Sequence, residues 1–375
     1  MSIMLVISLA VMPLYAQDAA QGGKAGGVTS LEKRIQKLEE AIDREPESDK
    51  WYDRIQISGL VEVEANSVNT DFKDPATKDT SESDVDLAKV ELVVDAKIHK
   101  HVDGHVMFKW EADTVFVDEG FVTFVGTDTF PAYLIAGRQY IPFGNFESHF
   151  VTDPLTLDLG ETNEGAAVAG YRFGNNKYDI SVGAFNGKAT KAGSDSTVDN
   201  FVASFAGAPL EWLSFGASYT SNIAAADGFA DALIDVDGDG DNTNDLKSYV
   251  GGWSAFVTFS MMNAKLIGEY VSAADEYEAG EVFDATDTKK KQPSAWNVEL
   301  GYAFTEKWEL AGRYEASTDT DGDVSMGDGF PESRYGAVVN YGLFDCNLAL
   351  EYLKANWQDD AKDEDVITLQ FAVEF

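Results

Sequence analysis

The sequence predicts an all-β fold: a transmembrane antiparallel β-barrel of about 16 strands with a short, coiled-coil-like N-terminal helix. Three observations carry this. In the segment Val366–Phe375, residues Ile367, Leu369, Phe371, Val373 and Phe375 fall on one face, while Thr368, Gln370 and Glu374 fall on the other. A barrel strand has this form because only alternate residues meet lipid, and aromatics sit at the membrane interface. The same alternation of period two recurs from residue 55 onward. The connections between these runs alternate short and long, as they do when turns gather at one end of a barrel and loops at the other.

Bulk composition agrees. The 375 residues carry 65 acidic and 28 basic side chains, a net charge of −37. Nucleic acid is excluded as a partner, since phosphate binding needs clustered Lys and Arg. The acid excess lies mostly in Gly/Asp/Asn-rich segments, where it keeps loops solvated. Mean hydropathy is −0.21, and no later segment supplies the roughly 20 apolar residues of a spanning helix. The single cysteine, Cys346, excludes an internal disulfide and a Cys-rich metal centre.

Residues 1–16 read as the apolar core of a secretory signal, cleaved near Ala16. The basic n-region is missing, which predicts a true start upstream of Met1. Residues 17–50 form a polar linker and a periplasmic helix in which Leu31, Ile35, Leu38 and Ile42 are spaced four, three and four. That seam is under two heptads, too short for a free-standing coiled coil. It requires a trimeric body, an envelope partner or its own barrel to rest on.

The barrel occupies 51–375. Its first strand places Ile55, Ile57, Gly59, Val61 and Val63 outward and Glu62 and Glu64 inward, and fifteen further runs follow between 84 and 375. Short connections include 174–176, 261–263, 305–306 and 343–345; long ones include 67–83, 143–163, 187–196, 224–247, 275–293 and 318–332. Inward acids such as Glu62, Glu64, Asp95, Glu299, Glu309 and Glu315 should concentrate cations in the channel.

One loop stands apart. The stretch Gly137–Gly165 (GRQYIPFGNFESHFVTDPLTLDLGETNEG) runs off the fifth strand and is richer in apolar residues than an exposed loop should be. Folded into the lumen, it would bring Glu147, His149, Asp153, Asp158 and Glu161 to the narrowest point. Strand parity sets Arg138 and Arg172 inward to oppose them across a transverse field. An external loop bracing a neighbouring subunit is the alternative. This block resembles the motif region of siderophore porins of the LbtU type, and more distantly that of phosphate-selective porins. The resemblance implies a small solute or ferric siderophore as cargo. The phosphate porins' Arg- and Lys-lined channels have no counterpart in this acidic chain.

In the 224–247 loop, Asp235, Asp237, Asp239 and Asp241 with Gly240 match the first positions of a calcium loop, although Leu246 stands where an EF-hand has Glu. Ca²⁺ is therefore a candidate ligand, and no cofactor is required. No catalytic motif is readable, so the expected mechanism is passive. Partners expected are outer-membrane lipid, the barrel-assembly machinery (with Phe375 as its signal) and further copies in a homotrimer. A barrel-anchored structural or adhesive protein is the alternative.

Overall fold

The computed structural model describes residues 51–375 apart from 112–113, 196, 236–240, 323–328, 345 and 358–361. The expected signal and heptad helix, residues 1–16 and 17–50, lie outside the described residues. Sixteen strands form one closed antiparallel barrel: β1 (Ile55–Phe72), β2 (Thr80–His99), β3 (Val102–Glu111), β4 (Thr114–Thr127), β5 (Phe130–Tyr140), β6 (Asn163–Phe173), β7 (Tyr178–Phe185), β8 (Asn200–Leu210), β9 (Leu213–Thr220), β10 (Gly252–Met261), β11 (Ala264–Ala273), β12 (Ser294–Ala303), β13 (Trp308–Thr318), β14 (Ser333–Leu343), β15 (Cys346–Asn356) and β16 (Lys362–Glu374). Closure removes every sheet edge by pairing β16 with β1, from Leu60↔Glu374 to Phe72↔Lys362.

Alternation decides the faces. Ile367, Leu369 and Phe371 are exposed on the outer surface, while Thr368, Gln370 and Ala372 are buried within. On β13, Leu310 and Tyr314 are exposed and Glu309, Arg313 and Glu315 are buried. An apolar exterior around a polar interior inverts the soluble arrangement and suits lipid outside and water inside. Tight turns use the left-handed region: Asn175 and Asn176 have φ of 58° and 63°, and Met262 and Phe344 of 56° and 57°.

Two expectations about connections are corrected. Residues 67–83 are mostly strand, because β1 and β2 stay paired up to Thr70↔Thr80. A polar sequence holds this form because β1 is laddered on both sides, to β2 and to β16. The link between β3 and β4, on the loop end, is only 112–113, so the alternation of lengths fails there. The remaining long loops of the described chain are L3 (141–162), L4 (186–199), L5 (221–251), L6 (274–293) and L7 (319–332).

Candidate functional site

L3 lies inside the barrel, laid along the inner wall. Its backbone N–H groups have no ladder partner, and wall side chains accept them instead. Gly144 donates to Ser218 Oγ on β9 at 2.9 Å, and Asn145 and Phe146 donate to the two oxygens of Glu269 on β11, each at 2.7 Å. His149 donates to Glu299 Oε2 on β12 at 2.6 Å, and Val151 to Glu351 Oε2 on β15, also at 2.6 Å. Leu155, opening the short helix α1 (Leu155–Gly160), donates to Glu315 Oε2 at 2.8 Å. Hydrogen bonds from N–H to an ionised carboxylate are roughly twice as strong as neutral ones. Four inward glutamates thus act as a rail for one loop.

Behind the second half of the loop the wall cations are Arg313 and Arg334. Arg313 is fully buried; its Nε donates to Glu299 Oε1 at 2.8 Å, its Nη1 to the Thr152 carbonyl at 2.8 Å, and its guanidinium lies 4.4 Å from the Phe150 ring centre. Arg334 Nε donates to Glu315 Oε1 at 2.7 Å and its Nη2 to the Asp153 carbonyl at 2.8 Å. Glu299, Glu309 and Glu315 therefore do not face open water, contrary to the sequence expectation. They are occupied by the loop and by arginine.

Other long loops pack on L3 over the β6–β12 side of the barrel. Phe143, Phe146, Leu155 and Leu159 of L3 pack with Ile223, Phe229 and Leu246 of L5 and with Tyr277 and Phe283 of L6. The wall beneath supplies Val168, Val202, Val271 and Ala295, from β6 to β12. Helix α2 (Asp227–Asp231) of L5 packs on α1, and Asp227 N–H donates to the Glu161 carbonyl at 2.7 Å. This apolar content explains why L3 cannot stand in solvent. Opposite, on β1–β3, the inward side chains of Glu64, Lys89, Asp95 and Lys109 stay partly open.

The residues expected at the constriction separate into three groups. Glu147, His149, Asp153, Asp158 and Glu161 are all on the inward loop. Glu147 is held by Lys265 and by Thr258 Oγ1 at 3.0 Å, and His149 Nδ1 meets Glu309 Oε1 at 2.9 Å. The His149 ring lies flat on β12 at Gly301, where a Cβ would come within 2.4 Å of it. Asp153 is exposed to the lumen and acts electrostatically on Lys89 of β2, as Lys109 of β3 does on Glu161. Arg138 and Arg172 do not oppose the loop, which corrects the parity argument. Arg138 shares the alternation of exposed Leu134 and Ala136, opposite Gly120 and Gly165, and its Nε donates to the Asp118 carbonyl at 3.2 Å. Arg172 does face inward, but next to the turn at 174–177, far down β6 from L3; there it pairs with Asp179 at 3.2 Å. Lys89 and Lys109 are the lysines on the wall opposite, and acids of that wall pair with them: Glu62 at 3.2 Å and Glu91 at 3.4 Å with Lys89, Glu111 at 2.7 Å with Lys109. Asp237 and Asp239 lie outside the described residues; Asp241 Oδ1 accepts the Thr243 N–H at 2.9 Å and hydroxyl at 2.7 Å.

Enclosure raises the loop acids. The Asp158 carboxyl is pushed up to about 7 by removal from bulk water, with Asp153 and Glu315 adding to the shift and Arg334 opposing it. The side chain is 32% open to the lumen, yet barrel wall surrounds it. Glu161 is held well above the usual carboxylate range, chiefly by burial, with Asp153 and Asp227 adding. Both are neutral below their pKa and anionic above, so raising pH through about 7 charges Asp158 and should strengthen cation preference. A reversal potential measured across that range checks this, and the step should vanish in Asp158→Asn.

No family model matches the chain. It is 26% identical over 266 residues to a UPF0422 protein of Coxiella burnetii, covering 67% of this chain and 54% of that protein. It is 22% identical over 331 residues to a UPF0422 protein of Legionella pneumophila, covering 80% and 58%. The chain thus spans little more than half the length of the curated relatives it matches. Among solved structures, the outer-membrane channel DcaP of Acinetobacter baumannii superposes with a TM-score of 0.57 at 14% identity, covering 86% of this chain and 97% of that one. The chain has the fold of an outer-membrane porin. The anion-selective porin from Comamonas acidovorans gives 0.58 at 12% identity, covering 86% and 99%. With its lipid-facing exterior and relatives from Gram-negative bacteria, the porin-like barrel belongs in the outer membrane.

Proposed function

We propose that the protein is a passive channel for hydrophilic solutes, narrowed by L3 and biased toward cations. The observation that carries this reading is the inward loop opposite a charged wall: the exposed carboxylate of Asp153 on one side, Lys89 on the other. Such a transverse field orients dipolar solutes as they cross. Among the side chains open to the passage, Glu64, Asp95, Asp153 and Asp158 outnumber Lys89 and Lys109, which favours cations. In a salt gradient the reversal potential should have the cation-selective sign; an anion-selective sign would refute the charge argument. Transport requires no bond making, so no catalytic residues are assigned. A ferric siderophore as cargo rests on the resemblance of Gly137–Gly165 alone, and flux of a labelled ferric chelate into liposomes would test it.

The apolar core over β6–β12 favours a second reading, an anchor whose loops face partners. Calcium at L5 would serve that role, with Asp235 and Asp241 as its described ligands; calorimetry with Ca²⁺ tests it. A barrel whose conductance is that of the bare bilayer would favour the anchor. For assembly we propose a homotrimer joined through β16 and β1–β5. Strongly exposed Tyr and Trp such as Tyr171, Trp253, Trp308 and Tyr335 lie on β6–β15, whereas on β16 and β1–β5 the outward Trp110 is only partly exposed among the described residues. Those aromatics mark headgroup contact, and their scarcity fits a face covered by protein. Cross-linking of the solubilised barrel tests it.

A further inference from the structure

On the loop side of the constriction lies a cavity of about 310 Å³, between Thr152 of L3, Gly329, Phe330 and Pro331 of L7 and the inner faces of β14–β16. Its polar lining is already paired. Glu364 accepts the Trp357 indole N–H at 3.1 Å and meets Lys362 at 2.8 Å. Arg334 is held by Glu315 and the Asp153 carbonyl, and the Thr152 hydroxyl donates to Glu351 at 2.5 Å. The Lys362 ammonium, 4.0 Å from the indole ring centre, together with Glu364 fixes the plane of Trp357. The rest of the lining is apolar: Trp357, Phe330, Pro331, Ala355 and Val366, with Lys362 over one face of Trp357 and Phe330 edge-on to Phe283 at 5.9 Å between ring centres.

Apolar inward residues such as Val168, Val202 and Val271 are covered by the loops, whereas this apolar lining borders an open cavity. Apolar surface left in contact with water is a standing source of binding free energy. The volume falls at the lower end of the range for small-molecule sites, which combine apolar walls with few polar groups. A charged ligand would gain little, since each charged group here already has its counter-charge.

We propose that this cavity is a vestibular binding site for the uncharged aromatic or alicyclic ring of a solute, whose polar part stays in the lumen. The site deepens the channel reading and rests on it for its role, though ring binding can be measured without conduction.

The test uses phenyl β-glucoside as probe and methyl β-glucoside as its ring-less control. Saturation-transfer NMR on the detergent-solubilised barrel should show saturable binding of the phenyl ring protons and none of the methyl glucoside. Trp357→Ala should weaken the apparent affinity about tenfold. Val366→Ser, a conservative change in size, should weaken it in the same direction and guards against a folding defect in the tryptophan variant. Equal signals from the two glucosides, or phenyl glucoside binding unchanged in both variants, would overturn the proposal. Conductance of the same preparation is read separately. Ring binding without ion conduction would keep the site and refute the channel.

Discussion

Glu299→Ala should free the middle of L3 and raise single-channel conductance. The Glu299 side chain is fully buried and accepts from the His149 N–H at 2.6 Å, the Ser148 hydroxyl at 2.9 Å and Arg313 Nε at 2.8 Å. Removing one partner of a buried ion pair costs about 3–5 kcal/mol, because the other charge is left without compensation. Here the lumen offers a remedy: the loop can lift and water can reach Arg313. The expected outcome is therefore a folded barrel with a displaced loop, wider current steps and more open-channel noise. Glu299→Gln keeps an acceptor for one N–H but loses the charge, so its effect should be in the same direction and smaller. Conductance unchanged in both variants would mean that L3 is held by its apolar core alone.

Phe375→Ser should lower the yield of folded barrel more than any single loop substitution. The residue sits on the closing seam, where Gly59 N–H donates to the Phe375 carbonyl at 2.9 Å and Phe375 N–H returns the bond at 3.1 Å. Its ring lies over Gly59, so close that a Cβ there would come within 2.4 Å of it. A small residue on β1 thus receives the aromatic of β16, and lipid covers the rest of the ring. The ring is 68% exposed from the protein, so losing its contact with Gly59 removes only a part of what a fully buried Phe side chain contributes, about 1.5–3 kcal/mol. We propose that the assembly machinery reads the same residue. Heat-modifiable mobility on gels measures the folded fraction, and a wild-type fraction for the variant would contradict the proposal.

How much was legible in the sequence follows from period two. Alternation of Ile367, Leu369 and Phe371 against Thr368 and Gln370 predicts both faces of β16, and the same rule finds every strand of the barrel. It fails where the ladder rather than lipid decides, as in the polar extension of β1 and β2. The inward loop was legible from Phe143, Phe146, Leu155 and Leu159, since apolar residues in a loop must bury somewhere. Its partners were not. Glu269 and Glu351 carry no local sign of accepting backbone N–H groups from a segment more than a hundred residues away. Arg313 could have been found, because Leu310, Gly312 and Tyr314 set the outer face of β13 and force it inward beside Glu309 and Glu315. Arg138 misled because it follows the outward alternation of Leu134 and Ala136, and Arg172 because facing inward says nothing about height along the barrel.

The central claim is that L3 narrows a conducting lumen. Single-channel recording of the refolded barrel beside a variant lacking residues 149–158 tests it most directly. The account predicts discrete, passive current steps in the wild type, larger steps in the variant, and a reversal potential that moves toward the non-selective value as Asp153 and Asp158 are lost. Identical conductance and selectivity in the two proteins would contradict it, as would a wild-type barrel that carries no current at all.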